Sequence, residues 1–108
     1  MKLDERKILE NWNDLLKVIN DNFSGERKEN LKAMYNKLAE RMMLAPASGI
    51  VHYHNCFAGG YVDHVLRVIK CAKQLHLVWK EMGAEQNYTE EELIFSALNH
   101  DLGKVGDM

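Results

Sequence analysis

Three polar residues, His64, His100 and Asp101, occupy positions where the surrounding pattern calls for apolar side chains. At about 100° per residue, the helix face of His64 continues through Val68, Cys71, Leu75 and Trp79. We therefore expect His64 to point toward the core at the N-terminal end of its helix. His100 and Asp101 end a different helix, on a side that is otherwise apolar.

An aspartate on an apolar helix face needs compensation, because burying an unpaired carboxylate costs several kcal/mol. Asp101 therefore requires a cation or several hydrogen-bond donors, and a metal ion is one economical solution. Imidazole and carboxylate ligands suit iron, manganese, cobalt, nickel or zinc without a thiolate. Two helices packed side by side could bring His64 within ligand distance of His100 and Asp101.

A second interpretation needs no metal. A lone histidine on an apolar helix face is more often a satisfied core residue. His100, Gly103 and Lys104 also fit an ordinary helix C-terminus, where cations oppose the dipole and glycine adopts the left-handed conformation. This interpretation does not account for Asp101, because negative charge is unfavourable at that end of a helix. The pattern by itself leaves both interpretations open.

Four segments with helical periodicity must position these residues, and no segment has the pattern of a strand. We expect helices over residues 4–22, 26–44, 61–82 and 89–103. Ser24 is a plausible N-cap, Thr89 and Glu92 form a capping box, and Gly83 suits the position after a helix end. The expected apolar stripe of the third helix consists of Val65, Leu66, Val68, Ile69, Ala72, Leu75 and Trp79, with His76 on the surface.

The connection over residues 46–60 is long, rich in small residues and contains His52 and His54. Long ordered loops in compact domains are often functional. Cys56 and Cys71 lie far apart and form no CxxC motif, so we expect two reduced cysteines packed as small hydrophobic residues rather than a zinc or redox site.

The 108 residues are enough for one domain. The net charge is −2, and the sequence contains no cluster of basic residues. This argues against general binding to nucleic acid by phosphate neutralisation, although a bound divalent cation could attract a phosphate locally. We find no run of about 18 apolar residues and no signal-peptide pattern. We therefore expect a cytoplasmic protein without a membrane segment.

The segment from His64 to His100-Asp101-Leu102-Gly103-Lys104 resembles the H…HD signature of the HD superfamily of metal-dependent phosphohydrolases, in its specific HDxGK form. The preceding residues strengthen the resemblance: Ala45-Pro46-Ala47-Ser48, His52-Tyr53-His54-Asn55 and Gly59-Gly60-Tyr61-Val62-Asp63. They are similar to the segment that precedes the first metal-ligating histidine in one branch of the superfamily. That branch includes 3′-5′ exoribonuclease-like proteins and relaxase-associated HD domains. The resemblance covers about residues 45–107. It implies an all-α, HD-like helical bundle, with a helical hairpin over 1–44 and the N-terminal portion of an HD domain over 45–108.

By this resemblance, His64, His100 and Asp101 correspond to the first three ligands of a divalent ion (Mn, Fe, Ni, Co, Zn or Mg), and Asp101 could also bridge a second ion. Lys104 would lie near the scissile phosphate and neutralise its charge, or else be a solvated lysine at a helix end. His54, and after it His52, would contact phosphate or a second metal, or else be surface histidines of the loop.

The family pattern ends with a further aspartate on a later helix, whereas this sequence stops at Met108, and Asp107 is too close to serve as that ligand. We therefore expect a fragment truncated after the HD motif, with self-association through exposed apolar helix faces. The expected activity is metal-dependent hydrolysis of phosphoester bonds in a nucleotide or a nucleic-acid end, so the expected partner is a phosphorylated small molecule or a nucleic-acid end. The alternatives are a non-catalytic HD module that binds metal or nucleotide for regulation, and an oligomerising helical domain in which His64 and Asp101 merely pair.

Overall fold

A computed structural model describes residues 3–46, 58–85 and 87–102 and confirms the all-α class, with no strand in these ranges. Five helices follow one another: α1 (Glu5–Asn22), α2 (Gly25–Lys37), α3 (Ala39–Leu44), α4 (Gly60–Glu81) and α5 (Glu90–Asn99). Within the same ranges, none of these helices is long and apolar enough to cross a membrane.

The first helix forms as its sequence predicts. The side chain of Asp4 accepts a hydrogen bond from the backbone N–H of Lys7 at 2.8 Å and so caps α1. The helix buries Trp12, Leu15 and Ile19 along one face. These side chains supply the α1 part of a single hydrophobic core.

The second segment is two helices, so the prediction of one helix over 26–44 is wrong. Leu38 adopts φ −100° and ψ 7°, which ends α2, and the chain resumes as α3 with Met42 fully buried. Leu38 is a good helix former flanked by no glycine or proline, so the local sequence carries no signal for this break. Ser24 occupies the N-cap of α2, but its side chain makes no capping hydrogen bond.

The fourth helix packs through part of its predicted stripe, since Val65 and Ile69 are buried and Leu66, Val68 and Ala72 pack against the core. Its buried apolar residues include Val62, Val65 and Ile69, which lie roughly 100° around the helix from the line through His64 and Trp79. Leu75 and Trp79, predicted to be in the core, are 55% and 52% exposed. His64 correspondingly lies half-buried at the edge of the core rather than pointing into it.

Two further predictions on α4 are wrong for related reasons. His76, predicted on the surface, is buried, since it shares the packed face and its ring lies 5.8 Å from that of Tyr88 in the α4–α5 connection. Cys71, predicted to be packed as a hydrophobic residue, is exposed, because it lies roughly 140° around the helix from the buried face of Val65 and Ile69. Gly83 follows the helix with φ +83°, as expected.

The fifth helix begins with the predicted capping box. Thr89 Oγ1 accepts from the backbone N–H of Glu92, and the Thr89 N–H donates to Glu92 Oε1, both at 3.1 Å. The helix ends at Asn99, and residues 100–102 form a turn. Gly103, the predicted end, lies outside the described residues.

The central helix of the fold is α4, which packs against α1, α3 and α5. The core includes residues of both predicted segments, the helical hairpin over 1–44 and the segment over 45–108. Its fully buried members are Leu15, Ile19, Tyr35, Met42, Tyr61, Val62, Val65, Ile94 and Leu98.

Candidate metal site

The end of α5 lies beside the beginning of α4, and this arrangement joins residues 36 positions apart in the sequence. His64 belongs to the second turn of α4, whereas His100 and Asp101 follow the last helical residue of α5. The two helices pack against each other, and Val62 and Val65 of α4 and Ala97 and Leu98 of α5 all belong to the same buried core.

The three side chains converge. His64 Nε2 lies 3.7 Å from Asp101 Oδ2, and His100 Nε2 lies 3.1 Å from the same oxygen. The two imidazole rings are 5.5 Å apart between centroids and inclined at 50°. One ligand atom from each residue lies within 4.8 Å of the other two.

A backbone hydrogen bond orients His100. Its Nδ1 lies 2.7 Å from the carbonyl oxygen of Ala97, and a carbonyl can only accept, so Nδ1 carries the proton. In the neutral imidazole, Nε2 then has its lone pair directed at the Asp101 carboxylate. Nε2 is thus the ring nitrogen that faces the Asp101 carboxylate, at 3.1 Å, and it is the ligand atom that His100 can offer to a cation.

The donor set fits a divalent transition metal. With metal–ligand bonds of about 2.0–2.2 Å, ligand atoms around one ion lie roughly 3–3.5 Å apart. The two distances to Asp101, 3.1 and 3.7 Å, lie in or near this range, whereas the three ligand atoms together lie within 4.8 Å, so a bound ion would require a small adjustment of the side chains. A histidine whose other ring nitrogen donates to a backbone carbonyl is the usual arrangement at protein metal sites.

The cluster is open to solvent on one side. The side chains of His64, Asp101 and His100 are 28%, 27% and 34% exposed. Counting only the described residues, three protein ligands with solvent access would leave coordination positions for water, substrate or further protein ligands.

Two buried tyrosines lie behind the cluster. Burial, and after it the negative charge of Asp101, raises the pKa of Tyr61 to about 12. Burial also raises the pKa of Tyr35, with a smaller contribution from Tyr61. The hydroxyl of Tyr61 has no hydrogen-bond partner among the described residues. Both phenols therefore remain neutral near the carboxylate.

A hydrogen-bonded chain supports the end of α5. The hydroxyl of Tyr35 donates to Asn99 Oδ1 at 2.7 Å, and Asn99 Nδ2 donates to the carbonyl of Phe95 at 3.0 Å. The sequence does not mark Tyr35 and Tyr61 as site residues, because a tyrosine among apolar neighbours is typical of an ordinary core. Nothing in the local pattern distinguishes them.

Of the predicted site residues, the structure brings together His64, His100 and Asp101. His52, His54 and Lys104 lie outside the described residues, as do Cys56 and Asp107. Comparisons of the chain with models of protein families, with curated proteins and with solved structures give no match.

Proposed function

We propose that this chain binds a divalent metal ion through His64, His100 and Asp101 and hydrolyses phosphoester bonds. The observation that supports the proposal best is the convergence of the three side chains, with ligand atoms within 4.8 Å of one another, from the ends of two different helices. The orientation of His100, whose Nδ1 faces the Ala97 carbonyl, supports it further, because it presents Nε2 as a ligand.

The residues have distinct roles in this proposal. His64 and His100 bind the ion through neutral Nε2 atoms, and Asp101 contributes the negative charge that offsets part of the charge of the cation. When bound, the ion lowers the pKa of a coordinated water and polarises a phosphoryl oxygen. Lys104, predicted from the HDxGK motif to neutralise phosphate charge, and His52 and His54, predicted to contact phosphate, stay predictions.

The substrate class follows from the same chemistry. Residues 46–108 carry five Lys or Arg against eight Asp or Glu, so protein charge alone does not attract an anion to this part of the chain. A bound cation would provide the local attraction for one phosphoryl group. We therefore propose a small phosphoester or a nucleic-acid end as substrate, in preference to a long nucleic-acid backbone.

Metal binding is the first test. Titration calorimetry with Mn²⁺ and with Ni²⁺ should show one site in the wild-type chain, and both His64→Gln and Asp101→Asn should weaken it at least about tenfold. Asp14→Asn on the exposed face of α1 removes the same charge far from the cluster and should leave binding unchanged. Equal metal affinity in all four proteins would show that the cluster is an ordinary ion pair.

Hydrolysis is the second test. The metal-loaded chain, with Mn²⁺, Ni²⁺ or Co²⁺, should cleave bis(p-nitrophenyl) phosphate or p-nitrophenyl phosphate, and Asp101→Asn should abolish the reaction. A chain that binds metal through these residues and cleaves neither compound would contradict the hydrolase proposal. That outcome would favour a regulatory module that binds metal or nucleotide without turnover.

A further inference from the structure

One face of the C-terminal half of α4 is apolar and open to solvent. Its members are Leu75, Val78, Trp79 and Met82, which are 55%, 47%, 52% and 79% exposed. Their spacing of i, i+3, i+4 and i+7 places them in one continuous row, which we call the α4 stripe. Soluble monomers rarely leave a contiguous apolar surface of this kind uncovered.

The α4 stripe follows a heptad repeat. Cys71, Leu75, Val78 and Met82 are separated by four, three and four residues, which is the alternation of d and a positions in a coiled coil. All four are exposed, and none of them belongs to the hydrophobic core or to the partly buried residues packed against it. A second helix with the same repeat could therefore pack against this row without displacing any core contact.

The residues beside the stripe carry opposite charges at its two ends, so two antiparallel copies would place unlike charges opposite each other. Arg67, Gln74 and Glu81 are spaced seven residues apart and occupy the g positions of this repeat, and all are exposed. In an antiparallel helix pair, g positions face g positions. With the two-fold axis at Gln74, Arg67 of each copy faces Glu81 of the other.

A parallel pair would not use these charges. It would set g positions against e positions, which here are the uncharged Ala72 and Trp79. The charge pattern therefore favours two antiparallel copies of α4. Within its own helix, Arg67 already contacts Asp63 at 3.3 Å, and its half-exposed guanidinium has further donors for a second carboxylate.

We propose that the α4 stripe is the interface of a homodimer in which two copies of this chain pack α4 against α4, antiparallel, about a two-fold axis near Gln74. A two-fold, self-complementary interface is the commonest form of protein oligomer. The exposed apolar side chains supply the buried centre of the interface, and the reciprocal Arg67–Glu81 pairs fix its direction. This inference does not depend on the proposed metal chemistry.

The first experiment tests the stripe. Sedimentation equilibrium should show a dimer for the wild-type chain, and Val78→Glu should raise the dissociation constant at least about a hundredfold. Leu77→Glu places the same substitution on another, equally exposed face of α4, where Leu77 is 57% exposed, and should leave the dimer intact. Both side chains are exposed in the single chain, so circular dichroism should show unchanged helix content in both variants.

The second experiment tests whether the two α4 helices pack antiparallel. In Glu81→Arg, Arg67 of each copy faces an arginine of the other copy, and this repulsion should weaken the dimer about tenfold. The double variant Arg67→Glu, Glu81→Arg restores opposite charges and should restore the dimer. Glu29→Arg, on the exposed face of α2, makes the same change in charge without effect on the dimer. A wild-type chain that stays monomeric at about 100 µM, a dimer insensitive to Val78→Glu, or a charge swap without rescue would each overturn the proposal.

Discussion

The hydroxyl oxygen of Tyr35, in α2, lies 2.7 Å from Oδ1 of Asn99, the last residue of α5, although 64 residues separate them in the sequence. The same oxygen lies 3.3 Å from the carbonyl of Leu98. Tyr35 is 1% exposed, so this contact is shielded from water. Because Asn99 immediately precedes His100 and Asp101, a side chain from the N-terminal third of the chain fixes the helix end that carries two of the three candidate ligands.

We predict that Tyr35→Phe lowers the free energy of unfolding by about 1–3 kcal/mol, because it leaves buried acceptors without their donor. It should also weaken metal binding several-fold, since the turn at residues 100–102 loses one of its supports. Urea denaturation and metal titration measure the two effects. In a double-mutant cycle with Asn99→Ala, the losses should be less than additive; full additivity would contradict the coupling between the two side chains.

The sequence predicted the all-α class and the helices α1, α4 and α5 for a physical reason. Hydrophobic periodicity marks a helix wherever one face is buried, and a carboxylate such as Asp101 stands out against that periodicity. The capping box at Thr89 is likewise local, since Thr89 and Glu92 contact each other within one turn. Features that depend on neighbours in the sequence were therefore accessible without the structure.

The part of α4 that packs was only partly accessible in this way. The predicted stripe contained the buried Val65 and Ile69 but also the exposed Leu75 and Trp79, because this helix is apolar around more than half of its circumference. Periodicity alone cannot decide which of two apolar faces contacts the remaining helices. The choice is made by tertiary packing, and it determines that His64 lies at the edge of the core, where solvent and a ligand can reach it.

The raised pKa of Tyr61 predicts a loss of stability at high pH. An unfolded tyrosine ionises near pH 10, whereas the pKa of Tyr61 is raised to about 12 by burial and by Asp101. Below pH 10 the stabilisation from keeping this phenol neutral is fully present; it is lost as the pH rises from about 10 to about 12.

Ultraviolet titration of tyrosinate measures this directly. The wild-type chain should show a component that ionises well above pH 10, Tyr61→Phe should reduce its amplitude by one tyrosine, and Asp101→Asn should shift it to lower pH. The component that still ionises above pH 10 in Tyr61→Phe is expected to come from Tyr35, whose pKa is also raised. Complete ionisation of every tyrosine near pH 10 in the folded protein would contradict the burial of both side chains.

Two helix N-caps offer a matched comparison. Thr89 accepts a hydrogen bond from the Glu92 N–H, whereas Ser24 occupies the equivalent position of α2 without a side-chain bond. We predict that Thr89→Ala lowers the free energy of unfolding by about 1 kcal/mol and that Ser24→Ala changes it by less than about half as much. Thermal or urea unfolding of the two variants is the measurement, and a larger loss for Ser24→Ala would show that its hydroxyl does cap α2.

Gly59 and Gly83 provide a second matched pair, because both have φ of +83° but only one is enclosed. A Cβ atom at Gly59 would lie 2.7 Å from Cγ1 of Ile8, whereas nothing lies within 4 Å of one at Gly83. We predict that Gly83→Ala costs about 1–2 kcal/mol from the left-handed backbone alone, and Gly59→Ala about 2–5 kcal/mol because the contact with α1 is added. Adding Ile8→Ala to Gly59→Ala should recover part of the difference, measured by urea denaturation. Equal losses at the two glycines would mean that α1 does not pack against the N-terminus of α4, the helix end that positions His64.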